Sequence, residues 1–358
     1  MSFLVSFIIS SVVVLLILGS NKYHHHFTHD HDLSGIQKYH TQSTPRIGGI
    51  AIYMGFIFTI LIDTSQSSIG LKYDIGMILS LSIVFFTGIL EDITKRITPF
   101  QRMIMFLIAS LIAIYVTQSL LIVTYADFPW LERMIMSYPI IGLGLSIFCS
   151  IGLANAYNII DGYNGLSATV ATINLLSLAI VAYIIQDVTT ARITCAMVGS
   201  VAGFLVFNYP KGKIFLGDGG AYLLGFSIAL LSVYIIHTNL GLISPYAVLL
   251  FAVYPITEIG FSIYRRKFLH KTHGMKPDNM HLHQLVYHRC VPITVKNKNA
   301  RVMPLMLPFI IPQFILGLMV YKSTLICLLL ILTFIIFYVV AYFKIVRFKT
   351  FGFLKYML

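Results

Sequence analysis

The sequence predicts an all-α, polytopic transmembrane helical bundle of about eleven spanning helices, and three observations lead to this fold class. The chain has 358 residues, of which 58% are hydrophobic and only 11% are charged, and its mean hydropathy is +0.85. A soluble domain carries about 25% charged residues. Apolar runs long enough to cross a bilayer recur along the whole chain, and the basic residues fall mainly in alternate connections between them.

A spanning helix needs about 20 mostly apolar residues. The runs that meet or approach this length are 2–19, 47–63, 75–91, 103–123, 139–155, 167–185, 192–208, 220–237, 244–263, 304–321 and 324–343. Helices satisfy their own backbone groups in lipid, so a helical bundle is the expected fold of one integral membrane domain over 1–358. The first run lacks a basic flank and a small-residue cleavage site, so we expect a spanning helix there rather than a cleaved signal.

The distribution of lysine and arginine predicts the orientation, because these residues collect on the cytoplasmic side. Of 25 such residues, only Lys72, Arg133, Arg192 and Lys322 lie at even-numbered connections. The N-terminus is therefore expected outside and the C-terminus in the cytoplasm. The cytoplasmic loops would be 20–46, 92–102, 156–166, 209–219 and 264–303. Topology and anionic lipid headgroups also explain the net charge of +12 without nucleic acid.

The third helix ends on two adjacent acids, Glu91 and Asp92, which are followed by Lys95. Adjacent carboxylates near lipid repel each other and lose solvation, so a bound cation or the nearby lysine would relieve them. A solvated helix end with a Glu91–Lys95 pair one turn apart explains the same residues equally well.

The second motif is the segment 155–166, which reads NAYNIIDGYNGL and joins the fifth and sixth helices. Asn155 and Asn158 lie one turn apart, and Asp161 and two glycines follow. Glycine lets backbone N–H groups approach an anion, and the next helix N-terminus favours negative charge. A plain connecting turn does not require two asparagines at a membrane boundary.

The third motif is the segment 208–220, which reads NYPKGKIFLGDGG and precedes the eighth helix. Asp218 stands among three glycines, where it could cap the helix or hold a metal ion. Capping alone does not explain Asn208 and Phe215 nearby.

The fourth motif lies in the long polar loop 264–303. It contains Arg265-Arg266-Lys267 and then Asp278-Asn-Met-His281-Leu-His283. Arginine clusters suit phosphate, and a His-x-His pair could ligate zinc, donate to a phosphate oxygen or move a proton. The four cysteines are scattered without zinc spacing, so phosphate contact is favoured. A solvated basic loop is the alternative.

Three weaker features remain open. The run His24-His25-His26 could bind metal, but a solvated loop is the preferred interpretation. Arg46 precedes Gly48-Gly49 and could either contact a phosphate or belong to a helix start; the sequence favours neither interpretation. Glu258 lies inside the ninth helix, where an acid is either functional or hydrogen-bonded to a Ser, Thr or Tyr of another helix.

All four motifs fall on odd-numbered connections, so they are expected to meet at one cytoplasmic face. Hard cations such as Mg²⁺, with Mn²⁺ as an alternative, take one or two carboxylates together with phosphate oxygens. Such a metal beside lysine and arginine is typical of phosphoryl transfer.

Together the motifs resemble those of the polyprenyl-phosphate N-acetylhexosamine-1-phosphate transferases, of glycosyltransferase 4 type, which start bacterial cell-wall, teichoic-acid and O-antigen synthesis. The matching residues are Glu91-Asp92 with Lys95, 155–166, 208–218 and 278–283, in order and with similar spacing. The resemblance covers about residues 38–290, and its second and third motifs are the specific ones.

The resemblance implies an enzyme of the bacterial inner membrane that works on its cytoplasmic face. Undecaprenyl phosphate would attack the phosphorus that carries the sugar of a UDP-N-acetylhexosamine, such as UDP-N-acetylglucosamine, and UMP would leave. By match, Asp218 with Asn158 would hold Mg²⁺, and Asp92 would be the base or the lipid-phosphate positioner. The remaining implied site residues are Glu91, Lys95 and Asp161 in catalysis, Gly162, Tyr163, Asn164, Asn208 and Phe215 around the uridine, His281, His283 and Arg265 at the diphosphate or the sugar, and Arg46 as a further substrate contact.

Two departures from the family pattern matter. The acidic pair is usually Asp-Asp, which leaves the role of Glu91 in doubt. The loop lacks the His-His-His run of phospho-N-acetylmuramoyl-pentapeptide transferases, so the branch that uses UDP-N-acetylglucosamine is favoured over that alternative. Direct attack by the lipid phosphate and a covalent phosphosugar intermediate on a carboxylate both remain open.

Two further functions and one assembly are also considered. A transporter would place its charged residues near the midplane and often shows internal repeats. A non-catalytic scaffold would tolerate loss of Asp218. The small residues in Gly142-Leu-Gly144 and Gly199–Gly203 allow close helix packing within the chain or in a homodimer.

Overall fold

The computed structural model describes residues 1–28, 44–64, 68–269, 280–292 and 294–347, and the described chain is an all-α bundle. The fold class predicted from the sequence is therefore confirmed. The helices are α1 Ser2–Gly19, α2 Asn21–Thr28, α3 Gly49–Ile62, α4 Ser68–Thr94, α5 Pro99–Val116, α6 Pro129–Ser137, α7 Pro139–Ile159, α8 Leu166–Ile184, α9 Val188–Asn208, α10 Gly217–Thr238, α11 Pro245–Phe251, α12 Val253–Tyr264, α13 Leu282–Arg289, α14 Val302–Val320 and α15 Thr324–Val346.

Nine of the helices in the described residues are long and apolar enough to cross a membrane: α1, α4, α5, α7, α8, α9, α10, α14 and α15. The chain is thus a multi-pass membrane protein, and two of the eleven predicted spans differ from expectation. The second, α3, has only 14 residues. The ninth is divided into α11 and α12, which are bent by 77° and would count as one broken span.

Pro255 explains the break in the predicted span 244–263. Proline lacks a backbone N–H, and its ring clashes with the carbonyl four residues earlier, which here belongs to Phe251. The first helix accordingly ends at Phe251, and α12 starts at Val253 in a new direction. The run is hydrophobic throughout, so hydropathy alone could not reveal the change of direction.

Backbone hydrogen bonds of the residues before Gly49 explain why α3 starts later than the predicted span 47–63. The Phe215 N–H donates to the Pro45 carbonyl, and the Gly48 and Gly49 N–H groups donate to the carbonyls of Phe215 and Leu216, each at 2.9 Å. The chain before Gly49 is therefore held beside the start of α10. This pairing carries the first connection to the same end of the bundle as the third motif.

Helix α10 is the centre of the bundle, because 89% of its most apolar window is buried, against 22% for the outermost α1 and α15. Its glycine-rich start lets two neighbours approach closely. A Cβ on Gly49 of α3 would lie 2.4 Å from the Gly220 nitrogen, and one on Gly88 of α4 would lie 2.5 Å from the Gly219 Cα. The sequence GDGG thus brings three helices together at the site.

The other small-residue patterns also serve packing within the chain. A Cβ on Gly199 would lie 2.2 Å from the Phe3 carbonyl, and one on Gly203 would lie 2.6 Å from that of Phe7, so both glycines of α9 lie against α1. Gly142 approaches the Val123 carbonyl in the same way. These contacts explain Gly142, Gly199 and Gly203 by packing within the chain.

Candidate active site

A cavity of about 990 Å³ opens at the end of the bundle where the odd-numbered connections meet. One part of its lining is polar and contains Arg46, Asn158, Asp161 and Asp218; we call it the polar end. Another part, which we call the apolar wall, consists of Met103, Ile147, Phe148, Ile151, Ile259 and Ile263. Side chains distant in sequence therefore share one space, as the motif analysis predicted.

Asp218 presents its carboxylate to the polar end from the first turn of α10. Its side chain is 23% exposed. The Asn158 amide nitrogen donates to Asp218 Oδ1 at 2.7 Å, and Arg46 Nη2 lies 3.7 Å from the same oxygen. Arg46 and the second motif therefore both contact this carboxylate of the third motif.

Asp161 adds a second acid in the turn between α7 and α8. Burial raises the pKa of its carboxyl to about 7; the Arg46 cation opposes this rise, and the Asp218 charge adds to it. A carboxyl in this state neutralises easily unless a cation joins it. Two acids at one wall therefore favour a positively charged ligand.

Asp92 lies behind Asp218 rather than on the cavity wall, and its side chain is 2% exposed. The backbone N–H groups of Asp218 and Gly219 donate to its two carboxylate oxygens, each at 3.0 Å. Helix N-termini carry unsatisfied N–H groups and attract negative charge. Asp92 thus caps α10 from α4.

Glu91 faces a different partner, Arg102 in the first turn of α5. Arg102 Nη1 donates to Glu91 Oε1 at 3.0 Å and to the Tyr222 hydroxyl at 2.6 Å, while Nη2 donates to Asn155 Oδ1 at 3.1 Å. Arg102 also lines the cavity beside Met103. Glu91, which stands where the family pattern has Asp, therefore holds the Arg102 side chain at the cavity.

Lys95 lies apart from this arrangement. It follows the last residue of α4 with a φ of 53°, is exposed, and is absent from the cavity lining. The structure does not bring it together with the other predicted site residues.

The second and third motifs are joined by asparagines. Asn208 Oδ1 accepts from the Gly165 N–H at 2.6 Å, and its amide nitrogen donates to the Ile214 carbonyl at 2.7 Å. The Asn164 amide nitrogen donates to the Pro210 carbonyl at 3.2 Å. The five residues predicted around uridine, which are Gly162, Tyr163, Asn164, Asn208 and Phe215, all line the cavity.

The His-x-His pair lies at the same cavity but divides into two environments. His281 lines the cavity, whereas His283 is fully buried and does not. The two rings are parallel, with centroids 5.5 Å apart. Burial lowers the pKa of the His283 imidazole, against the effect of the Glu258 carboxylate.

Arg265 and Arg266 have different surroundings. Arg265 is buried and donates to the Tyr342 hydroxyl at 2.8 Å and to the Met280 carbonyl, so it is directed to α15 and lies outside the cavity lining. Arg266 lines the cavity and donates to Ser262 Oγ at 2.7 Å. The arginine that lines the cavity is therefore Arg266, whereas the predicted site residue is Arg265. Asp278 lies outside the described residues.

Sequence reasoning assigned no role to several polar cavity residues, among them Arg102 and Asn299, and it named Arg266 only as part of the arginine cluster. Arg102 had a usable signal, because a cation in the first turn of a helix opposes the helix dipole and so indicates a special role. Asn299 Oδ1 accepts from the Asn164 N–H at 2.8 Å across 135 residues, and no local pattern indicates that contact.

The side chains at the polar end could supply only part of the coordination shell of Mg²⁺. No three His, Cys, Asp or Glu side chains in the described part of the chain form a ready-made metal group. Mg²⁺ typically takes one or two carboxylates and completes its shell with phosphate oxygens and water. The partly exposed Asp218 carboxylate, with Asn158 and Asp161 beside it, meets that requirement.

The fold and the cavity define a polytopic membrane protein whose acids, amides and arginines surround a polar space that opens along an apolar wall. Residues 75–236 match the model of glycosyl transferase family 4. This segment contains the first, second and third motifs, and the resemblance predicted from the four motifs is confirmed.

Individual relatives fall into two kinds. The chain is 28% identical over 336 residues to a Bacillus subtilis (strain 168) protein named a probable undecaprenyl-phosphate N-acetylglucosaminyl 1-phosphate transferase, covering 93% of this chain and 88% of that one. It is 32% identical over 201 residues to the phospho-N-acetylmuramoyl-pentapeptide-transferase of Oceanobacillus iheyensis, covering 53% of this chain and 61% of that one. It is also 28% identical over 244 residues to the phospho-N-acetylmuramoyl-pentapeptide-transferase of Clostridium perfringens (strain 13 / Type A), covering 65% of this chain and 74% of that one.

Proposed function

We propose that this chain transfers a sugar-1-phosphate from a UDP-N-acetylhexosamine, such as UDP-N-acetylglucosamine, to undecaprenyl phosphate and releases UMP. The observation that carries the proposal is one cavity whose lining contains both a polar end suited to a diphosphate and an apolar wall. A soluble nucleotide sugar and a lipid phosphate could meet only in such a space. By the lysine and arginine distribution, this end of the bundle faces the cytoplasm of a bacterial inner membrane.

The apolar wall suits a polyprenyl chain. Along α7, Gly144, Phe148 and Ile151 line the cavity in steps of three or four residues, and Phe148 is 74% exposed. A Cβ on Gly144 or Gly152 would meet no atom within 4 Å, so this helix face is open along its length. An open apolar stripe that leads from lipid towards the polar end can guide a long hydrocarbon.

The residues of the polar end suit the phosphoryl transfer itself. A lipid-phosphate oxygen attacks the phosphorus that carries the sugar; the bond from that phosphorus to the bridging oxygen breaks, and this oxygen leaves with UMP. Arg46, Arg102 and Arg266 supply positive charge for the phosphates. Tyr163 and Phe215 offer aromatic surface to uracil.

The direct route is favoured over a phosphosugar intermediate on Asp92. A phosphate oxyanion is already a nucleophile and needs no base, and both oxygens of Asp92 accept backbone hydrogen bonds. Mg²⁺, held by Asp218 and Asn158, would neutralise charge on the diphosphate when bound.

The GlcNAc-type donor is favoured over the pentapeptide-bearing donor. The relative with the GlcNAc name matches almost the full chain, whereas the two pentapeptide transferases described above match 53% and 65% of it. The loop from 280 onward, which lines the cavity through His281, contains no run of three histidines.

The test is UMP release from membranes supplied with undecaprenyl phosphate, Mg²⁺ and a panel of UDP-sugars that includes UDP-N-acetylglucosamine and UDP-N-acetylmuramoyl-pentapeptide. We expect release with a UDP-N-acetylhexosamine and not with the pentapeptide donor. No release with any donor, beside an active control enzyme, would contradict the proposal. Solute uptake by vesicles without UMP release would favour a transporter instead.

A further inference from the structure

Three lysines from two different loops lie around Asn164, beside the part of the cavity that was predicted to bind uridine. Asn164 lines the cavity. Its amide nitrogen donates to the Pro210 carbonyl at 3.2 Å, and a Cβ on Gly212 would lie 2.6 Å from that nitrogen. Lys211 stands between Pro210 and Gly212, and Lys213 follows Gly212. Both lysines therefore lie next to residues that contact Asn164.

The third lysine, Lys298, comes from the segment before α14. Its neighbour Asn299 also lines the cavity, and Asn299 Oδ1 accepts from the Asn164 N–H at 2.8 Å. Lys298 Nζ lies 4.4 Å from the centroid of the Tyr287 ring, which in turn lies 5.2 Å from the ring of Tyr163 at the cavity. A cation–π contact of this kind holds an ammonium group in place and leaves its charge unneutralised. We call these three residues the basic rim: Lys211, Lys213 and Lys298.

The basic rim carries positive charge that the acids of the described residues do not neutralise. Lys211 and Lys213 are exposed, and Lys298 is half-buried. None of the ion pairs within the described part of the chain includes these lysines. Each lysine lies one residue, or about 3.8 Å between Cα atoms, from a residue that contacts Asn164. The Debye length is about 8 Å at physiological ionic strength, so these charges act on an anion that arrives there.

The cavity itself offers an arriving diphosphate little unbalanced positive charge. Arg46 Nη2 lies 3.7 Å from carboxylate oxygens of both Asp92 and Asp218. Arg102 Nη1 lies 3.0 Å from Glu91 Oε1. The preference of lysine for the cytoplasmic face explains why lysines occur at this end of the bundle. It does not explain why three of them surround the asparagine that joins two loops at the cavity.

We propose that the basic rim is an electrostatic capture surface that draws the diphosphate of the nucleotide sugar from the aqueous phase to the cavity. The identity of this anion rests on the proposed function. Charge of one sign around a cleft raises the association rate of an oppositely charged ligand by about 10–10³-fold, and salt suppresses the effect. The basic rim therefore acts on the rate of association, whereas the polar end acts on the bound diphosphate.

The test measures association of a fluorescent UDP derivative with the full chain in nonionic detergent, by stopped flow at low and at high salt. The variant is Lys211→Gln/Lys213→Gln/Lys298→Gln. We expect its association rate constant to be about 10-fold lower than that of the parent at low salt, and the two to converge at high salt. Its dissociation rate constant should change by less than about twofold, because rim charges act mainly on association.

Three controls separate capture of the diphosphate from other effects. Replacing the same lysines with arginine keeps the charge and should keep the parent's rate. A fluorescent uridine derivative without phosphates should bind the parent and the glutamine variant alike. Finally, Lys22→Gln/Arg96→Gln/Arg347→Gln removes three charges from exposed residues that do not line the cavity, and should leave the association rate within about twofold.

The proposal is overturned if the parent and the glutamine variant of the basic rim associate equally fast with UDP at low salt. That result is also expected if the rim binds anionic lipid headgroups, which nonionic detergent lacks. An equal loss in the Lys22/Arg96/Arg347 variant, or a change confined to the dissociation rate, would overturn it too. If the parent binds UDP but turns over no donor, the proposed function fails and the association rates still decide this inference. A parent that binds no UDP would overturn both.

Discussion

The contacts of Asp92 predict that replacing it with asparagine damages the fold as well as the activity. Its carboxylate accepts the N–H groups of Asp218 and Gly219 at the start of α10. The amide of Asp92→Asn keeps one acceptor oxygen but turns an NH₂ group towards the other N–H. One backbone donor at a buried helix start is then unsatisfied, and Asp218 is displaced.

The size of the effect follows from those two bonds. A hydrogen bond to a charged group contributes about 1.5–3 kcal/mol, and a neutral one about 1 kcal/mol. Losing one bond and weakening the other gives about 2–5 kcal/mol, to which the lost helix-dipole interaction adds about 0.3–1 kcal/mol. We therefore expect Asp92→Asn to lower the Tm by about 5 °C.

The assay compares Asp92→Asn with Asp218→Asn by thermal unfolding in detergent and by UMP release. Both variants should lose activity by several orders of magnitude. Asp218→Asn should unfold within about 1 kcal/mol of the parent, because its side chain is partly exposed at the cavity. If Asp92→Asn is as stable as the parent and yet inactive, Asp92 acts directly in the chemistry and its positioning role is refuted.

Three further outcomes are expected. Arg102→Ala should raise the KM for undecaprenyl phosphate about 10-fold or more in steady-state kinetics, whereas an unchanged KM would separate this arginine from the lipid phosphate. Gly49→Ala should abolish folding, as judged by size-exclusion and thermal assays, because the added Cβ would lie 2.4 Å from the Gly220 nitrogen. Gly260→Ala should be tolerated, because its Cβ would have no atom within 4 Å. Equal behaviour of the two variants would contradict the packing described. Because burial lowers the pKa of His283, the unfolded chain binds more protons just below pH 6.5, so stability should fall as the pH drops through that region. His283→Gln should lessen that fall in thermal unfolding at pH 7.0 and 5.5, and an identical pH dependence in both proteins would argue against it.

Much of the fold could be predicted because lipid imposes a simple rule on the sequence. A run that must bury its backbone polar groups becomes a helix, and the start and end of α1 agree with the predicted run 2–19. Hydropathy does not report backbone direction, however. The same apolar composition covers the straight α10 and the broken α11–α12 pair, and only Pro255 marks the difference.

Part of the cavity lining could be predicted from the sequence, but its internal arrangement could not. Adjacent acids such as Glu91 and Asp92 appear equivalent in the sequence, yet a helix directs successive side chains about 100° apart. One therefore contacts Arg102 and the other the start of α10. The same reason separates Arg265 from Arg266. Contacts between distant residues, such as Asn164 with Asn299, leave no local pattern.

The central claim, transfer of the sugar together with its phosphate, is tested most directly by the fate of a single phosphorus atom. The substrate is UDP-N-acetylglucosamine labelled with ³²P on the phosphate next to the sugar, given to membranes with undecaprenyl phosphate and Mg²⁺. The account predicts that the label enters the lipid fraction while unlabelled UMP is released, and that Asp218→Asn abolishes both. Label retained in released UDP, with sugar alone on the lipid, would contradict the account.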